Sequence, residues 1–390
     1  MGRKTTFIVT LSLMGICTAL VGYRIANFRC LPVYSTVGPG AGYGLIVLRI
    51  VQGLAIGGEY GGAATYIAEH SPKNHRGYYT GYLQMAATMG MCISLAVILI
   101  VKVPMGTVAF LDWGWRLPFL ISIVLVFMSL YIRMSLEESP MFIAAKDTAE
   151  FKKNPLVESF LRPYNMYFVA LALFGATMGQ GCVWYTSQFY SLTFLTTYAK
   201  VPTNDAYMIV GAALLLASPG FVIVGHLSDK FGRKPFMLAG LTLAVSTWYP
   251  VYIGLITFGF KQGNYQPVML SFLVFIQVCY VTLVYGPVAA FLVELFPTSI
   301  RYTSMSLPYH IGNGVFGGLV PVIGVLLTTA SHQVYAGLWF PMGCVFITLL
   351  VMICNLGFNS IVFVPETYQR DLNDVYGKNG IEFYEKGDQV

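Results

Sequence analysis

The sequence predicts an all-α, polytopic membrane protein of about ten transmembrane helices, arranged as four plus six in two related bundles. Three observations point there: the composition, a series of long apolar runs, and a charged motif that occurs twice. Hydrophobic residues make up 56% and charged residues 10% of the 390 residues, where a soluble domain carries about 25% charged. A soluble fold could not cover that much apolar surface, so the solvent is lipid. Six of the seven cysteines (Cys17, Cys92, Cys182, Cys279, Cys344 and Cys354) fall in apolar segments without paired spacing or a histidine partner. They are small core residues rather than a disulfide frame or a zinc site.

Runs long enough to span a bilayer occupy residues 5–24, 41–69, 78–102, 115–134, 165–197, 206–226, 235–259, 267–294, 303–329 and 336–363. The connections are short except for 135–164, which is polar, mixed in charge and carries Pro140, Pro155 and Pro163. It divides an N-terminal bundle, 1–134, from a C-terminal bundle, 165–364, and a tail follows at 365–390. With a cytoplasmic N-terminus the loops alternate, and sixteen Lys and Arg fall inside against six outside. That bias puts both termini in the cytoplasm. The net charge of +6 is thereby accounted for by topology, and no nucleic-acid partner is implied.

The repeat orders these helices. GRK at 2–4 is followed by two spans and then YIAEHSPKNHRG, with Glu69 seven residues before Arg76. GRK at 232–234 is followed by two spans and then FLVELFPTSIRY, with Glu294 seven residues before Arg301. The second copy has two spans ahead of its GRK, whereas the first copy has none, so Met1 stands where Phe231 stands. A six-plus-six design is expected to be shortened here by its first two helices, through either a true truncation or a start assigned too far downstream.

GHLSDKFGRK at 225–234, between two spans, resembles the loop motif of the major facilitator superfamily. LRIVQG at 48–53 resembles that superfamily's fourth-helix motif. QGLAIGGEYGGAATYIAEHSPKNHRG, LEESPMF at 136–142 and VELFPTSIRYTSMSLPYHIGNGVFGG at 293–318 are similar to its metabolite:proton symporter branch, which includes carriers for proline/betaine, shikimate, α-ketoglutarate and citrate. The resemblance covers nearly the whole chain. It departs at the two absent helices and at YRIANFRC (23–30), which looks like an insertion in an outer loop. It implies alternating access between two bundles, with a midplane solute site between them.

Candidate residues fall into three groups. The first is a conformational latch, made in one state and broken in the other: Asp229 accepts from the first amides of the following helix and pairs with Arg233, with Arg3 as its counterpart in the first copy. Glu69 with Arg76, and Glu294 with Arg301, are the matching latches. A solvated positive-inside cluster is the plainer alternative for each.

The second group concerns proton coupling. Arg49 and Glu59 are the formally charged side chains well inside a span, where charge is costly and by default functional. At 100° per residue Gln52 and Glu59 lie within about 80° of Arg49, so the three form a polar stripe. Gly57, Gly58, Gly61 and Gly62 would let a neighbouring helix dry Glu59 and suit it to carry a proton; the alternative is a structural hydrogen bond. Arg49 resembles the superfamily arginine that organises proton coupling.

The third group would bind the solute. Gln180, Trp184 and Gln188 recur at i, i+4 and i+8, and Gln277, Tyr285, His310 and Asn313 lie on later spans. Amides, hydroxyls and an indole suit a small polar metabolite, and Arg49 suits a carboxylate; taken singly, each could be helix-helix glue. No metal-spaced cluster, nucleophile elbow or phosphate loop is present, so neither an enzyme nor a bound cofactor is expected. The expectation is a monomeric carrier in a bacterial inner membrane, symporting a proton with a small organic acid or zwitterion. A truncated remnant that does not transport is the alternative.

Overall fold

The computed structural model describes residues 3–26, 40–57, 59–134, 154–260, 264–297, 300–354 and 367. Among these the chain is helical and contains no strand. The helices are α1 (Arg3–Ala26), α2 (Gly40–Gly57), α3 (Glu59–His70), α4 (Arg76–Ala109), α5 (Arg116–Met134) and α6 (Pro155–Phe160). They are followed by α7 (Pro163–Thr197), α8 (Thr203–Phe231), α9 (Lys234–Thr257), α10 (Pro267–Leu295), α11 (Arg301–Ser331) and α12 (Ala336–Ile353).

Seven helices among the described residues are long and apolar enough to cross a membrane: α7 to α12, and α4 with its flanking turns. The expected first and fourth spans coincide with α1 and α5, whose apolar stretches are shorter, Ile8–Gly22 and Arg116–Tyr131. The expected second span coincides with α2 and α3, on either side of residue 58, which lies outside the described residues. Large apolar side chains cover the outside, Val108 at 85% exposure and Leu54 at 72%, as lipid-facing surface requires.

The chain forms two compact units, one of Met1–Ala63 with Ile93–Pro140, the other of Ala64–Cys92 with Met141–Val390. In the first, α1 packs on α5, with Gly15 against Val126. It is tied to α2 where Gln52 donates to the Thr18 hydroxyl at 2.8 Å. In the second, Phe221, Met237, Trp248, Tyr252 and Phe291 are sealed between helices. Most of the expected dividing segment, residues 135–153, lies outside the described residues, as does the tail apart from Thr367.

Local sequence explains the turn that matters most. α8 stops at Gly232, whose φ of 94° and ψ of 161° belong to a region closed to a β-carbon. α9 then starts with a proline in its first turn, where the missing N–H costs nothing. GRKP therefore stops one helix and starts the next within three residues, fixing Arg233 in the gap between them.

Candidate functional site

Asp229, Arg233 and Glu294, three of the residues expected to form a latch, meet in the second unit. Asp229 is 3% exposed and Arg233 is fully buried. Arg233 Nη1 lies 2.7 Å from Asp229 Oδ1 and donates to the Ser228 hydroxyl at 2.7 Å. Its other face makes a bidentate contact with Glu294, Nη2 to Oε1 at 3.1 Å and Nε to Oε2 at 3.3 Å. Burial pulls the Arg233 pKa down, but the Glu294 and Asp229 carboxylates outweigh it, and the net shift is upward. The guanidinium stays charged.

Asp229 also accepts backbone amides, from Gly77 to Oδ1 at 2.8 Å and from Tyr78 to Oδ2 at 2.7 Å. The sequence suggested amides of the following helix; the donors are at the start of α4, 152 residues earlier. The reason is geometric: Asp229 lies on the last turn of α8, and the N-terminus of α4 abuts that turn. A helix N-terminus offers unpaired N–H groups and a partial positive charge, so the carboxylate caps α4 from another helix. The approach is close because both residues at the crossing are glycine. A β-carbon on Gly225 would overlap the Gly77 carbonyl, and one on Gly77 would overlap the Gly225 carbonyl and Arg233.

Among the described contacts, Glu69 and Arg76, and Glu294 and Arg301, pair across the two copies of the motif and not within them. Partners are exchanged. Arg301 Nη1 donates to Glu69 Oε1 at 3.0 Å, and Arg76 Nη1 lies 3.7 Å from Glu294 Oε1. Seven residues separate Glu from Arg within each copy, and the second copy is interrupted after α10, which ends at Leu295. The four side chains then meet their opposite numbers more readily than each other. Arg301 also donates to the Phe296 carbonyl at 3.1 Å, and Thr367 donates to Glu294 Oε2 at 2.9 Å. Arg3 begins α1, and its side chain lies outside the described ones.

In the first unit, Arg49 is exposed and Gln52 and Glu59 are half-buried. Arg49 Nη1 donates to Gln52 Oε1 at 3.1 Å, so two members of the expected stripe touch. The expected close approach of a helix is absent at Gly57, where a β-carbon would meet nothing within 4 Å.

The solute-binding candidates divide. Gln180 and Asn313 exchange amide hydrogen bonds at 3.1 and 3.0 Å. Asn313 also donates to the Tyr309 carbonyl at 3.1 Å, and the Tyr309 and Tyr285 hydroxyls are 2.7 Å apart. The His310 ring meets Tyr309 edge-on at 5.3 Å between centroids. Gln277 stands apart, accepting from Ser191 at 3.3 Å, which in turn lies 3.1 Å from the Tyr252 hydroxyl.

Gln188 lies in a π-helical turn, Thr186–Tyr190, where an added residue interrupts the 100° step. Gln188 is fully buried, and neither of its amide atoms has a hydrogen-bond partner. Trp184 is half-buried with its indole N–H likewise unpartnered. A second π-helical turn, Ile311–Gly317, carries Asn313. Tyr309, Ser191 and Tyr252 were not among the candidates. Tyr309 lay beside His310 in SLPYHIGN, and nothing in the pattern separated the others from core residues.

A helical bundle that sets buried, exchanged ion pairs at one end and a chain of amides and hydroxyls within its helices defines a polytopic membrane transporter. The chain belongs to the sugar (and other) transporter family, whose model matches residues 1–159 and 151–376. It is similar to the inner membrane metabolite transport protein YhjE of Escherichia coli, 31% identical over 84% of this chain and 72% of the relative. It is also similar to two other E. coli proteins. The shikimate transporter is 29% identical over 87% of this chain and 73% of the relative, and the proline/betaine transporter is 28% identical over 95% and 71%. The fold is that of the proton:xylose symporter XylE, with a TM-score of 0.70 at 19% identity over 96% of this chain and 82% of that one.

Proposed function

We propose that this transporter is a proton-coupled symporter of a small organic acid or zwitterion, working by alternating access in a bacterial inner membrane with both termini cytoplasmic. The observation that carries the reading is the buried latch. Asp229 caps α4 across 152 residues of chain while holding Arg233, a set of contacts that must be broken if this end is to open. Two relatives, which carry shikimate and proline/betaine by name, lend support, because those solutes bear carboxylates that Arg49 would suit. In this reading residues 1–134 and 165–364 are the two bundles, 135–164 the loop between them and 365–390 the tail. The carrier works as a monomer.

Arg49 and Glu59 couple the proton; Gln52, Gln180, Trp184, Gln188, Gln277, Tyr285, His310 and Asn313 supply solute contacts. Coupling requires only that proton and solute bias one two-state equilibrium. The test is uptake of labelled shikimate and proline into proteoliposomes with an imposed acid-outside gradient. Accumulation should follow the gradient and collapse with a protonophore, and Glu59→Gln should abolish accumulation while leaving solute exchange. Uptake indifferent to the gradient would rule out proton symport.

A further inference from the structure

His75 and His226 lie beside the latch, and no role above employs either. His75 is exposed on the turn Lys73–His75 that leads into α4; His226 is half-buried near the end of α8. Their rings are parallel within 2°, with centroids 6.1 Å apart, and His226 meets Tyr78 edge-on. Among the described residues neither imidazole nitrogen pair makes a hydrogen bond to another group. One nitrogen from each ring and one Asp229 carboxylate oxygen all lie within 4.8 Å of one another.

Two imidazoles and a carboxylate are a donor set for borderline dications, Zn²⁺ and Ni²⁺ in particular, and not for Mg²⁺ or Ca²⁺, which require oxygen ligands. Asp229 retains the capacity to contribute. Its Oδ1 is occupied by the Gly77 amide and Arg233, but Oδ2 accepts only from Tyr78 and keeps a lone pair. Tetrahedral zinc with bonds of about 2.0 Å wants its donors roughly 3.3 Å apart. The contraction falls to His75, whose exposed side chain can swing without disturbing packing.

We propose that His75, His226 and Asp229 form a transition-metal site that ties the entry of α4 to the end of α8. A metal there binds only while those two elements are together, so it stabilises the closed latch by mass action and inhibits transport. The inhibition rests on the latch reading above; the site does not.

The experiment uses the full chain without a polyhistidine tag, titrated calorimetrically with Zn²⁺ in detergent, beside His75→Gln and His226→Gln. The expected result is one equivalent bound by the parent, at least tenfold weaker binding in each variant, and no heat with Mg²⁺. The thermal midpoint should rise with Zn²⁺ in the parent alone, and Zn²⁺ should inhibit uptake by the parent but not by His75→Gln. Unchanged zinc affinity in both variants, or no binding by the parent, would overturn the site. Zinc binding lost as expected, with uptake indifferent to zinc, would keep the site and overturn its link to the latch.

Discussion

Arg301 donates to Glu69 across 232 residues of chain, although Glu294, the carboxylate of its own motif, is seven positions away. Both side chains are buried to within 1%. Each copy of the motif thus supplies one half of a pair that the other copy completes.

Removing one member of a buried ion pair costs about 3–5 kcal/mol. Glu69→Gln and Arg301→Gln should each lower thermal stability in detergent, and the double variant should recover much of the loss. Additive losses would show that the two side chains do not depend on each other.

Gly225→Ala should abolish uptake while leaving insertion intact, since the added methyl meets a backbone carbonyl that cannot rotate away. Gly211→Ala on the same helix, where a β-carbon meets nothing within 4 Å, serves as the control and should transport normally. Surface labelling and uptake on the same membranes separate the two effects. Equal uptake by both variants would mean that the crossing tolerates separation.

Asp229→Asn keeps the side chain's shape but removes its charge. Arg233 retains Glu294, so the protein should insert and fold, yet Asn has a single acceptor oxygen, so only one of the Gly77 and Tyr78 amides keeps its bond and that bond loses its charge assistance. The expected phenotype is slowed uptake with a modest loss of thermal stability. Normal rates would mean that the latch does not limit transport.

Gln188→Leu tests the buried amide. An unsatisfied buried polar group costs about 1–3 kcal/mol, so the apolar replacement should preserve or raise the unfolding midpoint. If Gln188 contacts the solute, KM should rise by an order of magnitude or more. Stability gained with KM unchanged would identify the residue as a packing defect with no part in binding.

The spans were legible because lipid imposes long apolar runs and because Gly and Pro mark their ends. The run expected at 235–259 is α9, Lys234–Thr257, and that at 267–294 is α10, Pro267–Leu295. The charged residues that form the buried ion pairs were legible too, as repeated charges where charge is scarce. Their partners were not. Spacing within a motif fixes positions along one chain segment and carries no information about which segment lies opposite, so Glu69 with Arg301 was invisible until the helices were assembled. The π-helical turns at 186–190 and 311–317 were hidden for another reason: one added residue per turn leaves no signature in hydrophobic period, yet it interrupts the 100° step at Gln188 and at Asn313.

Among the described side chains of the proposed latch the charges sum to zero, Glu69, Asp229 and Glu294 against Arg76, Arg233 and Arg301, with Arg3 outside the described side chains. Separating those of one copy from those of the other therefore carries no net charge through the electric field of an energised membrane, where each elementary charge would contribute about 2.3 kcal/mol per 100 mV. If these six side chains part as the proposed latch, their opening is electrically silent, and the voltage dependence of uptake then reports on Arg3, the cargo and the proton proposed to accompany it.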